Sequence, residues 1–194
     1  MTGSEWAALL FVATAMSFTP GPNTTLAAAL GANHGLKRAL GFVFGVPVGW
    51  GALLQAEPLL RGFVKWAGVG YMLWLAWRLA DSARLAPDDR ERFDAGFAQG
   101  VLLQFINIKA WIFAAVLSVG WINAGEAAAS GTYPWARIAL VLPVMMAFAL
   151  ASNLVYASVG AALRRWLTQG RRLLMFNRVL ALLLAATALW MTRS

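Results

Sequence analysis

"SFTPGPNTT", residues 17–25, interrupts a stretch that otherwise reads as one apolar helix, and its interpretation decides the fold. Proline removes a backbone donor and clashes with the preceding turn, so "TPGP" breaks the helix near Pro20 and lets it restart at about Pro22. A restarting helix exposes fresh N-terminal amides, here those of Asn23, Thr24 and Thr25, with the positive end of a helix dipole behind them. A carboxylate suits such a place. The plainer alternative is a proline kink packed against a neighbouring helix.

The surrounding composition says which solvent this break sits in. Hydrophobic residues make up 60% of the 194 positions, charged residues 12%, and mean hydropathy is +0.65 with ten tryptophans. Soluble domains carry about twice that charged fraction. The apolar residues come in blocks of the length that a hydrocarbon core of about 30 Å requires of a helix, so the chain reads as an all-α integral membrane protein in a lipid bilayer. Within hydrocarbon, irregular backbone persists only where protein covers it or water fills a cavity. The break therefore implies a cavity or a close partner segment.

The net charge of +8 does not point to nucleic acid, because the basic residues lie in short connections with no basic face or recognition motif around them. There is no cysteine, which excludes disulfides, thiolate metal sites and thiol catalysis. The first block starts at about Trp6 with no basic region before it and no small-residue cleavage site after it, so it reads as a span and not as a removed signal peptide.

Apolar blocks fall at roughly 5–32, 39–57, 63–82, 96–122, 136–162 and 172–192. The longest charged stretch, "DSARLAPDDRERFD" (81–94), divides them into two sets of three. The expected organisation is a first three-helix repeat (1–85), a charged cytoplasmic linker (86–95) and a second three-helix repeat (96–194). "GFVFGVPVG" in the second span and "ALVLPVMMAF" in the fifth each place a proline, Pro47 and Pro143, after an apolar lead, and "LWLAWRLADS" in the third is echoed by "ALWMTRS" in the sixth. An odd number of spans per repeat makes the second copy enter from the opposite side, giving two inverted repeats.

Orientation follows from the basic residues. Lys37, Arg38, Arg78, Arg84, Arg90, Arg92, Arg164, Arg165, Arg171, Arg172 and Arg178 fall on one side, against Arg61, Lys65, Arg137 and Arg193 on the other. The richer side is expected to be cytoplasmic, with both termini outside.

The fourth span offers the broken helix a partner: "LLQFINIKAWIF" (102–113) sets Gln104, Asn107 and Lys109 among apolar residues. Lys109 lies about 18 Å along its span, too deep to snorkel easily, and intramembrane ionisable residues usually face an interior pathway. The competing reading starts the span later and leaves Lys109 at the interface.

"TPGPN" near the end of a first span, "GLKRALGFVFGVPVG", "VKWAGVGYMLWLAWRLADS" and "GFAQGVLLQFINIKAWIF" follow one another in an order that resembles the lysine exporter (LysE-type) translocators, which include homoserine and threonine efflux proteins. The resemblance implies a six-span, multi-pass inner-membrane exporter of amino acids or similar small metabolites driven by the proton gradient, without a cofactor or metal. Its motifs fall on Pro20, Gly21, Pro22 and Asn23, and on Asn107 and Lys109. Ile108 stands where the family typically has proline, which argues against a second broken helix and for asymmetric half-sites. The second span looks about ten residues short for the family, leaving roughly 17 to cross, with Gln55 and Glu57 directly after it.

Other residues take plainer readings. His34 in "GANHGLKR" reads as a cytoplasmic turn residue, Glu57 as the surface end of a span and Asp81 as the cytoplasmic end of the third. Most tryptophans lie near span ends as an interfacial belt, with Trp50 and Trp111 deeper. Gly41, Gly45 and Gly49 suit close packing against the first or fifth span, with homodimerisation as the alternative. Asn153 is either an interhelical hydrogen bond or a pathway residue.

No nucleophile with a base, metal-ligand cluster or phosphate loop appears, so an enzyme is not expected. The expected site places the substrate carboxylate on the amides of Asn23 to Thr25 and its ammonium on the oxygens of Asn23 and Asn107. Lys109 serves as the proton-coupling residue. The rival class is a non-transporting scaffold or subunit of the same fold. A heavy-metal exporter is disfavoured by the scarcity of ligands.

Overall fold

The computed structural model describes residues 1–53, 61–81, 95–122, 135–167, 169 and 171–193, and the regular elements among them are all helical. Helix α1 (Gly3–Phe18) starts at a capping box in which the Thr2 hydroxyl accepts the Glu5 amide and the Glu5 carboxylate accepts the Thr2 amide. It ends before Pro20, and α2 (Pro22–His34) restarts with Pro22 in its first turn, as "TPGP" predicts. Then come α3 (Leu36–Leu53), with Pro47 inside it, and α4 (Arg61–Asp81). The fourth apolar block divides into α5 (Phe97–Ile106) and α6 (Ile108–Leu117), which runs on into a π-helical turn, Ser118–Ile122. Helices α7 (Trp135–Leu167), with Pro143 inside it, and α8 (Arg172–Arg193) complete the order.

Helix α7 and the Arg172–Trp190 part of α8 are each long and apolar enough to cross a membrane, with mean hydropathies of 2.2 and 1.8. The α5–α6 pair passes the same test as one segment bent by 69°. The outer surface is apolar: Phe11 is 75% exposed and Val119 77%, which water would penalise and lipid tails accept. Exposed Trp135 and Trp166 lie near the two ends of α7. Their separation along the helix, roughly 45 Å at the α-helical rise, is close to the thickness of a bilayer with its headgroups. The chain is a helical membrane protein.

Helix α2 forms the centre, with every residue but Asn23 buried. It runs along α7, while α3 runs along α5 and α4 along α8. Two of these crossings depend on glycine. A Cβ on Gly31 would strike the Ala157 carbonyl and one on Gly160 the Ala28 carbonyl; Gly45 and Gly100 stand likewise against the carbonyls of Phe97 and Phe42. The stripe of Gly41, Gly45 and Gly49 thus packs on the fourth apolar block, not on the first or fifth as expected, because α5 approaches α3 at backbone distance.

The expectation of a solvated turn at His34 is also corrected. Helix α2 continues through Asn33 and His34, both buried, and the chain turns at Gly35, whose φ of 83° lies in the left-handed region. Asn33 and Asn177 exchange two hydrogen bonds of 3.0 Å, tying α2 to α8. The end of the second span, with Gln55 and Glu57, and the charged linker up to Asp94 lie outside the described residues.

Buried apolar side chains form two clusters. One joins Leu26, Leu30, Phe42, Met72, Leu79 and Leu103; the other joins Leu9, Trp50, Phe113, Leu117, Val141 and Met145. Buried amides and a hydroxyl accompany these clusters, among them Gln104, Asn107, Ser152 and Asn153.

Candidate functional site

Breaking a helix orphans carbonyls at one end and amides at the next start, and both breaks must satisfy them. At the first break the chain borrows donors from distant parts of the sequence. The Phe18 carbonyl accepts the Tyr156 hydroxyl at 2.9 Å, and the Thr19 carbonyl accepts the Lys109 ammonium at 2.6 Å. Gly21 makes the second contact feasible, since a Cβ there would lie 3.2 Å from Lys109 Cδ and 3.4 Å from Nζ.

At the start of α2, Pro22 has no amide hydrogen and the Thr25 amide already donates to the Gly21 carbonyl at 2.9 Å. The Thr24 hydroxyl accepts the Gly21 amide at 3.0 Å. The amides of Asn23 and Thr24 are therefore the ones left open, and the expected role of Thr25's amide is removed by the first intrahelical bond.

A second break exists although Ile108 stands at the proline position, contrary to the sequence expectation. Asn107 adopts an extended backbone between α5 and α6, and its side-chain oxygen caps α6 by accepting the Lys109 amide at 3.2 Å. The carbonyl of Phe105 accepts the Trp111 indole at 2.7 Å. An asparagine cap and an indole donor thus do what proline was expected to do. The half-sites still differ, because α6 is capped by its own residue whereas α2 leaves two amides open.

The two breaks are joined directly. Asn23 Nδ2 donates to Gln104 Oε1 at 2.9 Å, Gln104 Nε2 returns a bond to Asn23 Oδ1 at 3.1 Å, and Asn107 Nδ2 donates to the same oxygen at 3.4 Å. The oxygens of Asn23 and Asn107, expected to hold an ammonium, are thereby engaged within the protein.

Beside this network lies a cavity of about 50 Å³ lined by Gly21, Pro22, Asn23, Thr24, Asn107 and Lys109 from the breaks, Trp50 and Phe113 from the apolar clusters, and Ser152 and Asn153 from α7. That is room for one or two waters at about 30 Å³ each and not for an amino acid, so the wall side chains must move to admit one. Of the residues expected from sequence, Gly21 to Thr24, Asn107 and Lys109 come together here; exposed Pro20 and buried Thr25 do not line it. Sequence reasoning left Ser152 and Tyr156 unnamed, and for Asn153 the available signal was one amide in an apolar span.

Residues 14–194 match the sequence profile of the family described as LysE type translocator. Among characterised proteins, the chain is 27% identical over 184 residues to the cysteine/O-acetylserine efflux protein of Escherichia coli (strain K12), covering 89% of each chain. It is 30% identical over 104 residues to the protein of that name in Salmonella typhimurium (strain LT2), covering 48% of this chain and 53% of the relative. The like-named protein of Klebsiella pneumoniae is 32% identical over 120 residues, 56% of this chain and 61% of its own length. The alignment thus spans little more than half the length of the latter two relatives. No solved structure matches the chain.

Proposed function

The chain belongs to the LysE type translocator family, transporters and not enzymes, and from that premise we propose that it exports amino acids or similar small metabolites across the inner membrane by proton-coupled secondary transport. The observation that carries this reading is the meeting of two broken helices at one buried cavity that holds both an open helix N-terminus and a lysine ammonium. Both features attract a carboxylate. Relatives named for cysteine and O-acetylserine efflux favour a small, neutral α-amino acid as cargo.

In this reading the substrate carboxylate rests on the Asn23 and Thr24 amides and draws Lys109 Nζ away from the Thr19 carbonyl. Lys109 is the coupling residue: the charge that binds the substrate is the one whose proton is exchanged when the site turns to the other side. Asn107 and Gln104 hold the two breaks in register.

The proposed frame is six spans in two inverted repeats, 1–85 and 96–194, joined by the linker 86–95. Its support is the pairing of helices. Exchanging the halves turns the packing of the first span on the fifth into that of the fourth on the second, and leaves the third on the sixth unchanged. For sidedness, the Arg164 guanidinium lies within 3.5 Å of a Cβ built on Gly35, so two basic connections share one end, proposed to be cytoplasmic. The Glu5–Arg137 ion pair, 3.5 Å long, ties the starts of α1 and α7, proposed to face outside with both termini.

The scaffold reading draws on the absent fourth-span proline and on the short second span; the break at Asn107 withdraws the first support, and the end of the second span lies outside the described residues. The test is counterflow of labelled neutral and basic amino acids in vesicles with an imposed pH gradient, with Asn23→Ala alongside. Gradient-dependent flux abolished by Asn23→Ala is the expected result. Absence of flux for every amino acid from folded, inserted protein would return the scaffold reading.

A further inference from the structure

The site as described grips one end of an amino acid. A zwitterion also brings an ammonium with three donors, and the two oxygens first expected to receive it are engaged: Asn23 Oδ1 takes two bonds and Asn107 Oδ1 caps α6. The neighbouring Thr24 Oγ1 holds the Gly21 amide. One side-chain amide on the opposite wall differs. Asn153 is 2% exposed and lines the cavity, and its Nδ2 donates to the Ala149 carbonyl at 2.7 Å, while its Oδ1 has no hydrogen-bond partner. The orientation is fixed, because exchanging oxygen and nitrogen would set two acceptors against each other at Ala149. A buried, unpaired amide oxygen is destabilising in itself. Its presence at a cavity wall calls for a donor that the protein does not supply.

We propose that Asn153 Oδ1 accepts the α-ammonium of the substrate and so restricts the transporter to amino acids over the corresponding amine-free acids; this rests on the export reading above. The charges are complementary: open amides and Lys109 on the side of the breaks, an unpaired acceptor on α7. Ser152 Oγ, which donates to the Ala149 carbonyl at 3.1 Å and also lines the cavity, keeps lone pairs for a second ammonium hydrogen. The carboxylate would then be held by a helix of the first proposed half and the ammonium by one of the second. The site is complete only when the halves are together, which ties substrate recognition to closure.

The experiment is equilibrium binding to the purified full-length protein, with L-cysteine against 3-mercaptopropionate and L-homoserine against 4-hydroxybutyrate. Each pair differs by the amino group alone. The wild type should prefer the amino acids. Asn153→Leu, and Asn153→Ala as a smaller replacement, should weaken amino-acid binding about ten- to a hundredfold and leave the amine-free acids within about twofold, erasing the preference. Equal weakening of both members of a pair would assign Asn153 to packing and overturn the proposal. So would a wild type that binds both members equally, whether or not the variants fold. Wild-type protein that binds neither amino acid would instead overturn the assignment of a small, neutral amino acid as cargo, and this inference with it.

Discussion

Replacing Lys109 by methionine separates the two things this residue does. The aliphatic stem passes so close to Gly21 that a Cβ there would lie 3.2 Å from its Cδ, and methionine keeps most of it; the ammonium donates to the Thr19 carbonyl at 2.6 Å, and methionine removes it. Thr19 is exposed and Lys109 only partly buried, so the lost bond is expected to cost about 1.5 kcal/mol, the lower end of the range for bonds to charged groups. Lys109→Met should therefore purify as a monodisperse protein whose Tm falls by no more than a few degrees. Transport should behave differently. The variant loses both the cation facing the open amides of α2 and the exchangeable proton, so gradient-driven flux in vesicles should fall to the protein-free background. Binding of amino acids should weaken about tenfold to a hundredfold, the worth of one charge-assisted contact. Wild-type flux from Lys109→Met would remove the residue from coupling. A collapsed Tm would mean that its bond to Thr19 holds the break together and that its role is structural.

Two further outcomes test the frame around the site. Gly31→Val puts branched carbons where even a Cβ would meet the Ala157 carbonyl, and backbone cannot yield as a side-chain tip can, so the α2–α7 crossing must open; the expected result is loss of folded protein on size exclusion, and a wild-type Tm would contradict the close crossing. Asn33→Leu removes both bonds to Asn177 and should cost about 1–3 kcal/mol, whereas the Asn33→Leu/Asn177→Leu pair should regain part of that. A coupling energy below about 0.6 kcal/mol, the mean for interhelical bonds in membranes, would show that the two amides act independently.

The parts of the fold that could be read in the sequence are those set by local chemistry. Pro20, Gly21 and Pro22 in succession break a helix where the single prolines Pro47 and Pro143 do not, and α1 stops before them while α2 restarts at Pro22. Where the described residues reach them, helix ends follow the apolar blocks to within about five residues, because the apolar character of a segment is set by that segment alone. The second break could not be read, since nothing local forces it: an asparagine is a weak helix breaker until a partner such as Asn23 and a cap on the Lys109 amide reward the extended conformation. The partner of the glycine stripe and the burial of His34 were hidden for a related reason. A small-residue face announces close packing but not against which helix, and a turn-like string such as "GANHG" says nothing of the α8 residue that waits to pair with Asn33.

The layer of polar contacts at the two helix breaks has an energetic consequence for transport. Five hydrogen bonds cross it from the first proposed half to the second: the two between Asn23 and Gln104, Asn107 to Asn23, Lys109 to Thr19 and Tyr156 to Phe18. At the mean of about 0.6 kcal/mol measured for such bonds within membranes, opening the layer costs roughly 3 kcal/mol. A ligand of millimolar affinity contributes about 4 kcal/mol. A weakly bound amino acid can therefore offset the opening of this layer if it replaces the Lys109–Thr19 bond with its carboxylate and supplies Asn153 with its ammonium. Both apolar clusters draw side chains from each proposed half, Leu26 and Phe42 with Leu103 in one and Leu9 and Trp50 with Val141 in the other, so parting the halves must slide these apolar contacts while the polar bonds are exchanged.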